Sequence, residues 1–304
     1  MNKRNLSRRE FIVKTGAAMS LATVTPLLMP NIASAFTPVG NTSKMKWCMY
    51  TYSIFGGRFP LNELDIVEMC RKTKALGIDG LDIIGAGYNK SWEEIRKITD
   101  DYGIKVVCYT KGVKELESTD EATINKGIDE FKKRLEVAHI LGSNRIMMNQ
   151  GGSTPDRDAN RKNLIKSLEK VVPIATSEGI EVTIEHHNNP KAPFRTSADF
   201  NEAIAMVPDV RIAYDSGNIH IAGEDSVQGY KNNKEQITHM HFKDFSENGR
   251  LCIPGQGIID FPNLIKAMKK ANYNGYINLE VPLKQPDGYE AYEKAMEILG
   301  PLIA

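Results

Sequence analysis

Apolar and polar residues along the chain follow a regular order of short and long segments. Short runs rich in aliphatic and β-branched residues are each followed by a longer stretch in which apolar residues recur every three or four positions, and this order repeats eight times. Runs of the first kind are typical of buried strands, and stretches of the second kind are typical of amphipathic helices. The pattern therefore predicts eight strand–helix units.

The boundaries of these units can be read from the same pattern. Strands are predicted over residues 46–53, 79–84, 104–110, 143–149, 180–186, 210–215, 237–242 and 276–281. Helices are predicted over Leu61–Leu76, Ser91–Tyr102, Ala122–Leu141, Asp158–Glu178, Ser197–Val207, 225–233, Phe261–Ala271 and Tyr289–Leu299. In the third helix, we expect one face to pack on the sheet, formed by Ile124, Ile128, Phe131, Leu135 and Ala138.

Several predicted helices are followed by a glycine just before the next strand. These glycines are Gly77, Gly103, Gly142, Gly179 and Gly275. Glycine adopts the left-handed conformation that ends a helix before a short connection, so we expect a helix stop at each of them.

Eight strand–helix units in a chain of 304 residues fit a (β/α)8 TIM barrel. We predict a single barrel domain over residues 36–304. A doubly wound open sheet is the alternative, but no Gly-x-Gly-x-x-Gly sequence follows the first strand.

The first 35 residues differ from the rest and have the form of a twin-arginine export signal. Ser7–Ile12 contains paired arginines, an apolar stretch of about 14 residues follows over Gly16–Met29, and small residues occupy Ala33–Ala35. That stretch is shorter than the roughly 20 residues of a membrane span, so no stable membrane anchor is expected. We predict export by the twin-arginine route to the periplasm, with residues 1–35 as the signal peptide.

Charge and cysteine content exclude further classes of protein. The formal net charge is +1 and no long basic block occurs, so a nucleic-acid partner is not expected. The four cysteines are far apart in sequence and lack CxxC spacing, so we interpret them as small buried residues and not as disulfides or zinc ligands.

Side chains that can bind metal ions follow the last four predicted strands. These strands end in Glu185, Asp215, the segment His239–His241, and Glu280. The active site of a TIM barrel lies at the carboxyl ends of its strands, and adjacent strands are only about 4.8 Å apart. We therefore expect Glu185, Asp215, His241 and Glu280 to bind one divalent cation. Three carboxylates and one imidazole favour manganese, with magnesium, cobalt or zinc as alternatives.

These four residues resemble the metal-binding quartet of the sugar phosphate isomerase/epimerase superfamily, the xylose-isomerase-like TIM barrels. Gly255–Phe261 also resembles the Gly-x-Gly-x-(Ile/Val)-Asp-Phe loop of that superfamily. The similarity covers most of the chain after the signal and is strongest from Glu185 onward. The resemblance implies a metal-dependent enzyme that acts on a sugar.

Roles for individual residues follow from the resemblance. In epimerases of this superfamily, two metal-bound glutamates exchange protons with the carbon beside a carbonyl, which implies Glu185 and Glu280 as catalytic base and acid. Substrate contacts are expected for His187, Asn218 and Lys243. Asn218 departs from the ketose 3-epimerases, which have a substrate-binding His at that position, so other activities stay open.

Export bears on the identity of the substrate. Phosphorylated sugars are cytoplasmic metabolites, and the sequence has no P-loop and no arginine cluster at a strand end. An unphosphorylated sugar or glycoside is therefore expected. The alternative to an isomerase or epimerase is a lyase or hydratase acting on 3-keto-glycosides or their enone products, and a second alternative is a non-catalytic carbohydrate-binding barrel. The choice of sugar, the bound metal and the oligomeric state, including a homo-oligomer, stay open.

Overall fold

The hydrophobic runs form strands in the structure, a computed structural model that describes residues 45–55, 65–85, 88–282 and 288–304. Within these ranges the strands are β1 (Lys46–Tyr50), β2 (Gly80–Ile84), β3 (Lys105–Thr110), β4 (Arg145–Met148), β5 (Glu181–Glu185), β6 (Arg211–Asp215), β7 (Ile237–Phe245), β8 (Leu251–Cys252) and β9 (Tyr276–Glu280).

Helices separate most of these strands. They are α1 (Thr51–Phe55), α2 (Ile66–Ala75), α3 (Trp92–Asp101), α4 (Glu121–Leu141), α5 (Arg157–Ser177), α6 (Ser197–Met206), α7 (Ser216–Ile221), α8 (Ser226–Asn233), α9 (Phe261–Lys270) and α10 (Gly288–Ile303). A 3-10 turn covers Lys114–Glu117.

Eight parallel strands close into a barrel. The hydrogen-bonded order is β6-β5-β4-β3-β2-β1-β9-β7, and β7 pairs in turn with β6. Closure excludes the doubly wound open sheet and confirms the predicted TIM barrel. The carboxyl ends of β5, β6, β7 and β9 therefore lie side by side on one rim.

The amphipathic pattern of α4 produces the packing expected from it. Ile124, Phe131, Leu135 and Ala138 are buried, as predicted for the face that meets the sheet, and Ile128 is partly buried against the same core. The Asp120 carboxylate accepts the N–H of Thr123 and so caps the amino end of the helix.

The first strand is shorter than the predicted range 46–53, which is wrong at its end. β1 stops at Tyr50 and the chain turns into α1. The hydroxyl of Thr51 accepts the N–H of Ile84 (2.9 Å), and the hydroxyl of Ser53 donates to the Leu279 carbonyl (3.2 Å). Polar side chains thus bond to the neighbouring strand ends in place of a continued ladder. Residues 61–64 of the first predicted helix, Leu61–Leu76, lie outside the described residues.

Left-handed helix stops occur at four of the five predicted glycines. Gly77, Gly103, Gly142 and Gly179 have φ between 62° and 75°. The expectation for Gly275 is wrong, because α9 ends earlier, at Lys270, and Asn272 takes the left-handed position with φ 55°. Asparagine is the other residue that tolerates this conformation.

Three further predictions concern the remainder of the chain. The cysteines are free thiols, and Cys48, Cys70 and Cys108 are buried, as expected, whereas Cys252 is only partly buried. None of the helices in the described ranges is both long and apolar enough to span a bilayer. The predicted signal peptide, residues 1–35, lies outside the described residues.

Candidate metal centre

Four neighbouring strands bring four metal-binding side chains together at the carboxyl rim. Glu185, Asp215 and Glu280 are the last residues of β5, β6 and β9, and His241 lies within β7. In the sheet register Asp215 is paired with His241. One ligand atom from each of the four residues lies within 4.8 Å of the other three. The structure thus places the predicted quartet in one cluster, whose members' role as ligands remains a prediction.

Positive groups already contact the three carboxylates. His241 Nδ1 lies 2.5 Å from Glu185 Oε1 and 3.2 Å from Glu280 Oε1. Lys243 Nζ lies 2.6 Å from Glu280 Oε2 and 3.8 Å from Asp215 Oδ2. Three acidic groups therefore share one imidazole and one ammonium group in a largely buried space.

Asp215 gives the clearest indication that the cluster fits a cation. Its Oδ1 accepts the backbone N–H groups of Gly217 (2.9 Å) and Asn218 (2.7 Å), which begin α7. Its Oδ2 is buried and accepts no hydrogen bond. A buried carboxylate oxygen without a donor is costly, and a divalent cation bound by oxygens and one imidazole nitrogen would remove that cost.

Burial and neighbouring charges shift the pKa values of the cluster in opposite directions. Burial raises the pKa of Asp215 well above its usual value, although Lys243 opposes the rise. For Glu280, burial acts in the same sense, but the charges and hydrogen bonds of Lys243 and His241 prevail and hold its pKa below its usual range. For His241, burial would lower the pKa, but Glu185, Asp82 and Glu280 raise it. Such opposed shifts are typical of functional sites.

A second buried polar group lies directly beneath the quartet. Asp82, His239 and Asn278 are fully buried, and Asp82 Oδ2 accepts hydrogen bonds from His239 Nε2 (3.0 Å) and Asn278 Nδ2 (2.8 Å). Burial would raise the pKa of Asp82, but His239 and His241 hold it below its usual value. The sequence prediction omitted Asn278 and His239 from the site. Their two-residue spacing from Glu280 and His241, which puts each pair on one strand face, was the available signal.

The predicted substrate-binding residues differ in their surroundings. Lys243 faces the quartet through the ion pairs given above. Asn218 is buried, and its side-chain nitrogen donates to the His186 carbonyl (2.8 Å). His187 is half-buried, and its Nδ1 accepts the N–H of Asn189 (2.9 Å). Burial lowers the pKa of His187, so a neutral ring is favoured at neutral pH.

Gln150 fixes the backbone at the end of β5. Its Nε2 donates to the carbonyls of Glu185 (2.5 Å) and Phe194 (3.0 Å), and its Oε1 accepts the Phe194 N–H (2.7 Å). The carboxamide thereby joins the strand that carries Glu185 to the loop that follows it.

Asp244 organises the glycine loop that follows β7. Its carboxylate accepts backbone N–H groups from Gly255 (3.0 Å), Gly257 (2.8 Å) and Ile259 (3.1 Å). A β-carbon at Gly257 would collide with the Asp244 carboxylate and the Phe245 carbonyl. The Gly-x-Gly sequence is therefore needed for the loop to wrap around this carboxylate.

Comparison with known proteins identifies the family. The family model for the xylose isomerase-like TIM barrel matches residues 70–302, so the chain belongs to that family. This confirms the resemblance inferred from the sequence.

Individual relatives within the family are distant. An inosose dehydratase of Lacticaseibacillus casei is 23% identical over 201 residues, which cover 55% of this chain and 66%, just under two thirds, of that protein. A 3-dehydro-D-guloside 4-epimerase of Escherichia coli strain K12 is 25% identical over 254 residues, 78% of this chain and 94% of that protein. The crystal structure of the IOLI protein with a zinc atom superposes with a TM-score of 0.72 at 18% identity, covering 85% of this chain and 98% of that one.

Proposed function

We propose that this chain is an exported, divalent-metal-dependent enzyme that abstracts a proton from the carbon beside the carbonyl group of an unphosphorylated sugar. The observation that carries the proposal is the convergence of Glu185, Asp215, His241 and Glu280, whose ligand atoms lie within 4.8 Å of one another. The names of two relatives, an epimerase of a dehydro-sugar and a dehydratase, support the same chemistry.

Glu185 and Glu280 are suited to move the proton. They project from β5 and β9, which are separated in the barrel by β6 and β7, so one carboxylate can remove a proton from the substrate carbon and the other can return one. A free carboxylate is too weak a base for this step unless charge on the carbonyl oxygen is stabilised. A divalent cation bound by the quartet would supply that positive charge. Lys243, 14% exposed beside Glu280, is suited to donate to a second substrate oxygen.

Manganese is the metal we propose for this centre, with magnesium, cobalt or zinc as alternatives. The donor set of three carboxylates and one imidazole supports a cation of this class, and the zinc atom in the IOLI structure supports a divalent ion in a similar fold. Metal analysis of protein purified from its own compartment tests the assignment.

Elimination from a 3-keto-glycoside is a second reaction that the same site would support. A carbonyl at C3 acidifies the protons at C2 and C4: loss and return at C4 inverts that carbon, whereas loss at C2 expels the C1 substituent with its bonding electrons. Asn218 favours this second candidate, because ketose 3-epimerases have a substrate-binding His at that position. The side chain of Asn218 instead donates a hydrogen bond to the His186 carbonyl. Hydration of the resulting enone is the reverse of this elimination, with water added in place of the C1 substituent.

Solvent-deuterium uptake tests the proposal. The protein is incubated with manganese in D2O and a panel of free ketoses and 3-keto-glycosides, and the products are analysed by NMR. Uptake without net turnover indicates proton abstraction, an inverted C4 indicates an epimerase, and release of the aglycone indicates a lyase. We expect Glu185→Gln and Glu280→Gln each to slow uptake by about 10²- to 10⁴-fold.

The control for this experiment is Glu169→Gln, which removes an exposed carboxylate on α5. We expect it to leave uptake unchanged. If no substrate of the panel takes up deuterium although the protein binds a sugar tightly, the proposal is contradicted and a carbohydrate-binding barrel is favoured.

Export to the periplasm is the cellular part of the proposal. It is supported by the paired arginines of Ser7–Ile12, the apolar stretch Gly16–Met29 and the small residues Ala33–Ala35. We expect the mature protein to begin near residue 36 and the double substitution Arg8→Lys, Arg9→Lys to stop export. Cell fractionation and N-terminal sequencing test both, and a full-length cytoplasmic protein would contradict them.

A further inference from the structure

The side chain of Gln150 bridges the strands β4 and β5 where their backbone pairing ends at the carboxyl rim. The last residue pair of the two strands is Met148 with Ile184, after which β4 stops. One residue beyond that pair, the Glu185 carbonyl accepts a hydrogen bond from Gln150 Nε2 (2.5 Å). A side-chain amide thus continues the pairing of β5 beyond the end of β4.

The same carboxamide closes the base of the loop that follows β5, the rim loop of residues 187–194. The Nε2 of Gln150 donates to the Phe194 carbonyl (3.0 Å), and its Oε1 accepts the Phe194 N–H (2.7 Å). The His187 N–H also donates to the Phe194 carbonyl (3.1 Å). Gln150 and Phe194 are buried, which protects these hydrogen bonds from water. The first and last residues of the rim loop are therefore fixed against each other.

Further hydrogen bonds order the rim loop itself. The N–H of Asn189 donates to His187 Nδ1 (2.9 Å), and the N–H of Ala192 donates to the Asn189 carbonyl (3.0 Å). The side-chain nitrogen of Asn160, on α5, donates to the Lys191 carbonyl (3.1 Å). The rim loop is thus joined to the barrel at its base and at Lys191.

The direction of successive side chains at the end of β5 places His187 on the side of the quartet. Residues two apart in an extended chain face the same side, so His187 faces as Glu185 does. His186, between them, points the opposite way, and its ring packs against Phe200 (4.5 Å between ring centroids) and Tyr214 (5.0 Å). A substrate bound at the quartet would therefore meet the ring of His187.

We propose that Gln150 is a positioning residue that holds the base of the rim loop so that His187 contacts the substrate. The inference rests on the proposed function. Without the carboxamide, the buried N–H of Phe194 would lose its acceptor, and the base of the loop would have to move to satisfy it. Glu185 would move less, because its strand is still paired with β6 at Ala213.

A purely structural role is the competing interpretation, in which Gln150 only satisfies buried backbone groups. The two roles differ in their dependence on His187. If Gln150 acts through His187, removing both side chains weakens substrate binding no more than removing His187 alone, because residues that act through one contact are not additive. If its role is only structural, removing Gln150 lowers stability and leaves substrate binding unchanged.

Steady-state deuterium uptake by the manganese-loaded full chain separates the two roles. Rates are measured against substrate concentration for the unaltered protein, Gln150→Met, His187→Ala and the double variant. We expect Gln150→Met to raise KM about tenfold, the value of roughly one lost hydrogen bond, and to leave kcat nearly unchanged. The double variant should have the KM of His187→Ala. Gln228→Met, the same substitution at an exposed glutamine of α8, is the matched control and should change neither constant.

Amide hydrogen exchange checks the loop without relying on activity. The Phe194 N–H should be protected in the unaltered protein and should exchange faster in Gln150→Met, whereas the N–H of Val182, within the β5 ladder, should stay protected in both. Circular dichroism establishes that each variant is folded. Gln150→Asn, whose carboxamide is one carbon shorter, takes the place of Gln150→Met if that variant does not fold.

The outcomes distinguish this inference from the proposed function. An unchanged KM in the folded Gln150 variant, or additive effects in the double variant, would overturn the inference alone. A lower kcat with an unchanged KM would also overturn it, because Gln150 would then act on Glu185 and not on His187. If the unaltered protein exchanges no substrate of the panel, the proposed function fails and this inference fails with it.

Discussion

Replacing Lys243 with methionine should lower the free energy of unfolding of the metal-free protein and raise its affinity for the metal ion. Lys243 Nζ lies 2.6 Å from Glu280 Oε2 and 3.8 Å from Asp215 Oδ2, and its side chain is only 14% exposed. Removing one partner of a buried ion pair costs about 3–5 kcal/mol, because the other charge is left without compensation. We expect the lower end, about 3 kcal/mol, since His241 also contacts Glu280.

The same substitution should affect the metal-bound protein much less. A divalent cation in the quartet would itself compensate the carboxylates, and the lysine ammonium would repel it. The substitution costs the metal-free protein about 3 kcal/mol of stability. By the thermodynamic cycle, any part of this cost that the metal-bound protein does not suffer appears as tighter metal binding. Each step of about 1.4 kcal/mol corresponds to a tenfold higher affinity. We therefore expect Lys243→Met to bind manganese about 10- to 100-fold more tightly, with lower activity through the lost substrate contact.

Two measurements test this cycle. Urea unfolding of the metal-free proteins gives the loss of stability, and chelator competition gives the gain in affinity. Lys166→Met, which alters an exposed lysine of α5, is the matched control, and we expect it to change neither quantity. If Lys243→Met loses stability but binds manganese no more tightly than the unaltered protein, Lys243 and the cation do not compete, and the reasoning fails.

The remaining predictions concern pH and packing. Burial lowers the pKa of His186 to about 3 in the folded protein, whereas a histidine in the unfolded chain has a pKa of about 6.5. As the pH falls, the unfolded chain therefore binds the proton first, and the folded protein loses stability between these two pH values. His186→Leu should abolish about 2 kcal/mol of the loss between pH 7 and pH 5, measured by urea unfolding at both pH values, and an unchanged pH dependence would refute this. Gly257→Ala should lower stability by about 1–3 kcal/mol, because its β-carbon meets the Asp244 carboxylate, whereas Gly300→Ala, with open space around it, should not; equal unfolding midpoints would contradict this.

The barrel could be predicted from the sequence because its signals are local. Strand runs, amphipathic helices and glycine stops each occupy a few consecutive residues, and the α4 face from Ile124 to Ala138 is buried as the periodicity indicated. The end of β1 could not be predicted, because it depends on Thr51 bonding to Ile84, 33 positions away. Such a pairing exists only once the neighbouring strand is in place.

The candidate site also has one part that the sequence predicts and another part that it does not. The quartet was predictable because four consecutive strands end in acidic or imidazole side chains, and the fold alone brings strand ends together. The network around Asp82 was not, because Asp82, His239 and Asn278 come from strands far apart in sequence and each resembles an ordinary interior polar residue when read alone. Their hydrogen bonds, with Asp82 as acceptor, appear only in three dimensions.

Anomalous diffraction at the manganese edge, from crystals of the mature protein grown with Mn²⁺, tests the central claim most directly. The account predicts one peak at about 2.0–2.4 Å from carboxylate oxygens of Glu185, Asp215 and Glu280 and from Nδ1 of His241. A peak elsewhere, or none at the quartet when the four side chains are ordered, would contradict it.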